Sequence, residues 1–471
     1  MMLIMVRRQV LDVEMHGAEA DGLALQRRLP AVCADAISPA LEAALAPLDA
    51  AGEHLVIDVL AVDVGEIPLD RLESALAEQL RRELDAYVRA HRADPAVDGP
   101  DERAEAAVRR RSDAESLDDA FLEFLRIGRL PWWVRVGRGI RLEDLVQHAW
   151  CEADPAGGGP APATIRRLAV LLGAPSARAR LVAQFSPQFA VVLLRALSPG
   201  VATAAGEAMA VLDPVVLPAA LRRRMAQGVW DAALVAAVNR TSAPAAELVR
   251  TAWSALEPSG RWDPSLVELL EQSSPGLTRP AEESMQGQLP IVSEGTGEEH
   301  PPDVVEGVVV ENAGLVLLHP FLPRFFDALG VTAGGELIDP ERALCLLHLL
   351  ATGETVAPEH RLTFAKVLCG VPLDRPVAAD VGLTAEEIVE AEALLEAAVG
   401  HWSALGHTST DALRGEFVAR AGLLSVDADG DWLLRVEART LDILLDRLPS
   451  GWGISLVRTP WMPRLLKVEW R

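Results

Sequence analysis

The chain has 471 residues, half of them apolar, and a formal net charge of −24. That length exceeds the size at which one hydrophobic core stops growing, and that apolar content excludes a disordered chain, so three or four packed units are expected. The acidity argues against nucleic acid or an anionic membrane as partner, since both need a basic face; it serves solubility and can steer the chain toward a basic partner.

Aromatics are only 4% of the residues, and Ala and Leu dominate, which favours helices. The alternation of Val6, Val10 and Val13 predicts a strand over 5–15. An Ala/Leu-rich helix over 18–49 is interrupted near Ser38-Pro39. A second strand runs from His54 to Leu60 and on through Val62-Asp-Val64, closed by Gly65. Asp70 and Glu73 open a helix whose Leu72, Leu76, Leu80, Leu84 and Val88 line one face. Residues 1–92 therefore read as a small β-α-β-α unit. Residues 93–118, with Pro, Gly and mixed charge, read as a linker.

Residues 119–272 read as helical hairpins with stops at Gly173-Ala-Pro175, Ser186-Pro187 and Ser198-Pro-Gly200 and no fixed period. Residues 273–306 read as an acidic, disordered linker: between Ala281 and Glu306 there are seven carboxylates and neither Lys nor Arg. A helical C-terminal unit spans 307–471. Within it, Thr384-Ala-Glu-Glu387 is a capping box that opens a helix burying Ile388, Ala391, Leu395 and Trp402. A further helix carries Leu413 and Phe417 and stops at Gly422. Two runs, Leu423–Val426 and Trp432–Glu437, flank Asp427-Ala-Asp-Gly-Asp431 as a β-hairpin. The fold class is mainly α, a multi-unit helical architecture with a small α/β N-terminal unit and a β-hairpin in the C-terminal unit.

Motifs for chemistry are absent or incomplete. Asp427, Asp429 and Asp431 imitate the start of a calcium loop, but the required Gly and Glu are replaced by Trp432 and Ala438, so a hairpin turn is expected. Gly157-Gly-Gly159 is not a phosphate loop, because the two lysines, Lys366 and Lys467, are each followed by Val. There is no H-E-x-x-H, G-x-S-x-G or C-x-x-C. His401 and His407 are spaced off one helical face, and His319 reads as a packed core or turn histidine. The widely spaced Cys33, Cys151, Cys345 and Cys369 read as reduced, buried thiols of a cytosolic protein. Cys369 with His348 or His360 as base is the remaining hydrolase reading. The N-terminal Met1–Met5 stretch does not read as a signal peptide, and Leu181–Leu194 is too short and polar to span a bilayer. No cofactor or metal is expected.

The end of the chain is dense in tryptophan: five of the 11 lie between 402 and 471. From Arg447 to Arg471 there are five basic residues and one acidic. Trp452, Arg458, Trp461, Arg464 and Trp470, with Trp132 and Trp133 upstream, are candidate partner-binding residues, because Trp and Arg dominate binding hot spots. The alternative is that these tryptophans close cores.

Long blocks in this region are Asn312-Ala-Gly-Leu-Val-Leu-Leu-His-Pro-Phe-Leu322, Pro358-Glu-His-Arg-Leu362, Lys366-Val-Leu-Cys-Gly370, His401-Trp402-Ser-Ala-Leu-Gly406 and Asp442-Ile-Leu-Leu-Asp-Arg-Leu-Pro449. Pro460-Trp461-Met462 and Val468-Glu469-Trp470 end the series. Together with Phe124-Leu-Arg-Ile-Gly-Arg-Leu-Pro-Trp-Trp133, and more weakly Arg8-Gln-Val10 and Ile57-Asp58 through Asp63-Val-Gly65, they resemble the contractile injection system tape measure proteins of phage-tail-like particles. One departure is Leu448-Pro-Ser-Gly-Trp452, where that family tends to read Leu-Pro-Trp. The resemblance implies no catalysis. It implies a role in assembling the inner tube on the baseplate and setting its length, with the inner tube protein, baseplate hub or spike proteins and cap proteins as partners, in the cytoplasm and within the assembled particle. A compact assembly chaperone or adaptor at the baseplate or cap is the alternative. As one continuous helix the chain would reach about 700 Å at roughly 1.5 Å per residue, yet 32 Pro and 35 Gly are scattered through it, so the isolated chain is expected to fold into compact units.

Overall fold

The computed structural model describes residues 6, 9–16, 19–46, 53–57, 60–92, 108–137, 139–153, 159–213, 218–256 and 307–470. The fold is mainly helical with a small sheet near the C-terminus. The chain divides into two compact units, 1–119 and 120–471. The expected linker over 273–306 lies outside the described residues.

In the first unit, α1 (Glu19–Val32) runs through one wide turn (Cys33–Ile37) into α2 (Ser38–Leu45). The expected break at Ser38-Pro39 is thus a widened turn. Pro39 lacks an N–H and its ring crowds the preceding turn, and the Ser38 backbone N–H and hydroxyl both donate to the Cys33 carbonyl. The long helix α3 (Leu72–Arg92) buries Leu76, Leu80 and Leu84 against Val32, Ile37, Ala40 and Ala44, as the four-residue spacing requires.

Among the described residues, the strand expected over 5–15 is not formed. Val6, Val10 and Val13 are exposed and residues 9–16 hold no regular structure. The partner of β1 (Glu53–Ile57) is instead β2 (Val108–Ser112), antiparallel from Glu53↔Ser112 to Ile57↔Val108. Alternation alone does not make a strand; a ladder partner does. Residues 60–64 do not continue β1. Residues 108–118, read as linker, hold β2 and the start of α4 (Asp113–Ile127). The signal was present in Ser112-Asp-Ala-Glu115, a capping box: Glu115 N–H donates to Ser112 Oγ (3.2 Å) and Ser112 N–H to Glu115 Oε2 (3.0 Å).

The second unit begins within α4. It continues through α5 (Leu142–Ala153), α6 (Pro162–Leu171), α7 (Pro175–Gln184), α8 (Pro187–Leu197), α9 (Pro199–Leu212), α10 (Ala219–Val238) and α11 (Ala245–Leu256). Pro175, Pro187 and Pro199 each start a helix, where a missing N–H costs nothing. Ser186 also caps α8 by accepting from Phe189 N–H (3.2 Å). The core of this part centres on Phe121, Trp150, Phe185 and Phe189, packed edge-on and stacked.

A second core of the same unit is built from residues 310–470. In order come β3 (Val308–Val310), a tight 3-10 run (Ala313–Leu318), α12 (Leu322–Ala328), the short pair β4 (Thr332–Ala333) and β5 (Glu336–Leu337), and α13 (Pro340–Thr352). There follow a turn at Glu359–Arg361, α14 (Thr363–Leu368), α15 (Ala385–His401), α16 (Thr410–Leu413, widening through Val418), β6 (Gly422–Val426), β7 (Trp432–Val436), a 3-10 run (Thr440–Arg447), β8 (Leu456–Val457) and β9 (Leu466–Trp470). The sheet order is β3-β6-β7-β9-β8, with β7 and β9 parallel and the other pairs antiparallel.

The capping box at Thr384 and Glu387 and the hairpin closed by Val426↔Trp432 form as the sequence requires. Two details differ. Ile388 is exposed, because the buried stripe of α15 runs through Glu387, Ala391, Leu394, Leu395 and Ala398, with Glu387 held by Arg342 (2.6 Å). The helix carrying Leu413 and Phe417 ends at Val418, and Gly422 starts a strand. Gly422 faces Ala313 and the Arg435 carbonyl so closely that a Cβ would clash.

Candidate functional site

Three of the sequence blocks singled out above, Phe124–Trp133, Pro358–Leu362 and Lys366–Gly370, meet at one buried carboxylate. Glu359, in the turn after Pro358, accepts from Arg180 Nε of α7 (3.0 Å) and from Lys366 Nζ of α14 (2.7 Å). All three side chains are closed to solvent. The remaining donors are satisfied by main chain: Arg180 Nη1 reaches Leu125 O (2.6 Å) and Nη2 reaches Asp374 O, while Lys366 Nζ reaches Leu373 O (3.0 Å) and Arg375 O (2.7 Å). Burial pushes the Glu359 carboxyl up, against the pull of Lys366 and Arg180, and pushes the Lys366 ammonium down, against the attraction of Glu359 and together with the repulsion of Arg180. Gln184 continues the bridge, accepting from Glu359 N–H (2.8 Å) and donating to Val377 O (2.7 Å).

The Phe124–Trp133 block is seated on this cluster. Gly128 adopts φ +75°, and a Cβ there would fall on the Glu359 carboxylate. The Phe124 ring meets His360 edge-on at 6.0 Å. Arg361, one residue further, donates to Val136 O (3.0 Å) and Gly137 O (2.8 Å). Helices near the start of the second unit and the turn at 358–362 are therefore fastened by charge.

The other blocks close the second core. Trp452 Nε1 donates to Leu317 O (2.8 Å), tying Leu448–Trp452 to Asn312–Leu322. Gly314 lies against the backbone of Phe417 and Val418, where no Cβ fits. Trp461 Nε1 and Thr459 Oγ1 both donate to Leu368 O (2.8 and 3.3 Å), and Gly370, at φ +64°, approaches Trp461 O so that a Cβ would come within 2.5 Å. Trp402 Nε1 reaches Leu444 O (3.2 Å). Trp470 Nε1 reaches Asp442 Oδ2 (3.2 Å), and Asp442 in turn pairs with the buried Arg420 (2.7 Å).

The candidate binding residues thus divide. Trp452 and Trp470 are buried, and Trp461 is half-buried with its N–H used inside the fold. Arg458 is exposed and Arg464 half-exposed. A tryptophan whose ring is covered and whose N–H is bonded inside the fold contributes to the core. Trp132 stays 36% exposed, edge-on to the half-buried Trp133 at 5.8 Å.

Two of the four thiols depart from the expected burial, Cys33 being half-buried and Cys151 exposed on α5, and among the described residues nothing pairs Cys369 with a base for nucleophilic chemistry. Cys369 is buried, and burial pushes its thiol well above the usual range. Burial, with the Arg361 guanidinium, lowers His348 to about 4 and His360 to about 3. Among the described residues no hydrogen bond joins that thiol to either ring. His319 is the turn histidine expected, half-buried with Nδ1 at 2.8 Å from Val316 O. Asp427, Asp429 and Asp431 surround Lys467 Nζ at 2.6, 2.8 and 3.5 Å, so the cation of the apparent calcium loop is a side chain of β9.

A family model for the contractile injection system tape measure protein matches residues 4–470. The chain belongs to that family. No curated protein and no solved structure matches it. The blocks of the second unit that resemble tape measure proteins in sequence are thus the ones that build the surroundings of Glu359 and Trp452. Sequence reading found the blocks but missed Arg180, Glu359, Arg361 and the Arg420–Asp442 pair as the residues that join them. The available signals were three ionisable residues in a row inside an apolar block, Glu359-His-Arg361, and one of only two lysines seven residues later. Among the described residues, no helix of this tape measure protein is long and apolar enough to cross a membrane.

Proposed function

We propose that this tape measure protein acts without catalysis in assembling the inner tube of a contractile injection particle, and that it does so as a folded body. The observation that carries this reading is the buried Arg180–Glu359–Lys366 cluster, which joins segments 179 residues apart in sequence. Stringing the chain out along a tube would separate these charges and expose both cores of the second unit. A compact body of about 350 residues has a radius of gyration of roughly 20 Å, against several hundred ångströms for the same chain as one helix. The inner tube protein, baseplate hub or spike proteins and cap proteins are the partners the family suggests.

The competing reading is a ruler that extends and sets tube length. Lengthening or shortening the 281–306 segment separates the two. An extended ruler changes tube length by roughly 1.5 Å per residue if helical and by up to about 3.5 Å if fully extended. A folded assembly factor leaves tube length unchanged, measured by electron microscopy, while loss of the chain abolishes particles. Normal particles in a strain lacking the chain would refute both.

A further inference from the structure

From Phe124 to Leu142 the chain has five arginines (Arg126, Arg129, Arg135, Arg138 and Arg141) and no carboxylate, in a protein of net charge −24. Arg126 is matched by Glu123 and Arg141 by Glu143 and Asp144. Arg135 is exposed and has no ion pair among the described residues. Three residues before it and five after it in the chain are the two large apolar side chains this stretch leaves open among the described residues, Trp132 at 36% and Ile140 at 45% exposure. Both are costly to leave in water, and Trp and Arg together are the commonest makers of binding hot spots.

The segment is not loose. Its entry is seated at Gly128 on the Glu359 cluster, with Gly128 N–H donating to Phe124 O (2.7 Å). Val134 N–H closes a turn on Pro131 O (3.0 Å), and the Arg361 guanidinium holds the carbonyls of Val136 and Gly137. Trp132 packs edge-on to Trp133. Fixing a surface before binding removes the ordering cost that a free loop meets on association. The buried ions therefore have a consequence at the surface: they hold a basic, aromatic ridge in one shape.

We infer that the Trp132–Ile140 ridge docks an acidic protein surface of another particle component, with Trp132 as the apolar anchor and Arg135 as the charge that selects the partner. This rests on the assembly role proposed above. A protein partner fits better than nucleic acid or an anionic membrane, because a chain of net charge −24 is repelled by an extended polyanion, whereas a local acidic patch with an apolar recess answers both parts of the ridge.

The test uses the full chain in particle-producing cells, with a photo-reactive amino acid replacing Ile140, and compares Trp132→Ala, Arg135→Glu and Arg135→Lys. A cross-link to a particle protein is expected at low salt, weakening at high salt. Its yield and the particle count should both fall at least tenfold in Trp132→Ala and Arg135→Glu and be largely kept in Arg135→Lys, while the urea midpoint of each purified variant is unchanged. Arg135 lies on the surface, so Arg135→Glu keeps the test decisive even if Trp132→Ala fails to fold. Wild-type particle counts in Arg135→Glu, or a cross-link to nucleic acid, lipid or a basic protein face, would overturn the inference. A strain lacking the chain tells this failure from that of the assembly role: no particles there, with normal particles in Arg135→Glu, removes the ridge alone.

Discussion

Replacing Glu359 by Gln tests whether the buried cluster holds the second unit together. The change keeps the shape of the side chain and removes one charge, leaving Arg180 and Lys366 as two buried cations with no anion between them. Removing one partner of a buried ion pair costs about 3–5 kcal/mol, because the surviving charge is still desolvated. Here each cation keeps two backbone carbonyls, which points to the lower end, about 3 kcal/mol. All 11 tryptophans lie beyond residue 120, so tryptophan fluorescence in a urea titration reports the second unit alone. With a denaturant slope of roughly 3 kcal/mol per molar, the midpoint should fall by about 1 M. Adding Lys366→Met removes one stranded cation and should recover part of that loss. An unchanged midpoint in Glu359→Gln, or a further loss in the double variant, would refute the reasoning.

Three other outcomes follow from the geometry. Gly128→Ala places a Cβ on Glu359 at a positive φ; it should cost at least about 2 kcal/mol in the same titration, and a neutral result would remove the close seat of the loop on the cluster. Trp461→Ala should cost about 2–4 kcal/mol, since a half-buried ring and its bond to Leu368 O are lost, whereas Arg458→Glu should stay within about 0.5 kcal/mol as an exposed change; the opposite ranking would return Trp461 to the surface. His348 and His360 are held neutral at about 4 and about 3, below the ordinary histidine value near 6.5 that the unfolded chain has. Their contribution is therefore full above about pH 6.5 and is lost as pH falls toward 4, by about 2–3 kcal/mol for the pair at pH 5.5. His360→Phe should roughly halve that slope in urea titrations run between pH 7 and 5, and an unaltered slope would assign the acid sensitivity elsewhere.

What the sequence determined by itself was local. The period of Leu76, Leu80 and Leu84, the prolines that start α7, α8 and α9, the Thr384 capping box and the Asp427–Asp431 turn are each decided by residues within one or two turns of each other, and each formed as the pattern required. The long blocks identified the family, because order and spacing along a chain are sequence properties. Partnership was decided only in three dimensions. The valines of 5–15 alternate like a strand but have no ladder, while the arginine-rich Val108–Ser112 has one in β1. How Trp461 and Trp470 are held depends on one carbonyl contributed by Leu368 and a carboxylate contributed by Asp442, 93 and 28 residues away in the chain. Arg180 and Glu359 carry no mark of each other, since an ion pair between residues 179 apart leaves no period and no spacing to read. Trp132 is left in the open for the same reason in reverse: the tertiary fold brings cover to the C-terminal tryptophans, while at this one it leaves a ring on the surface three residues from an arginine with no ion pair among the described residues.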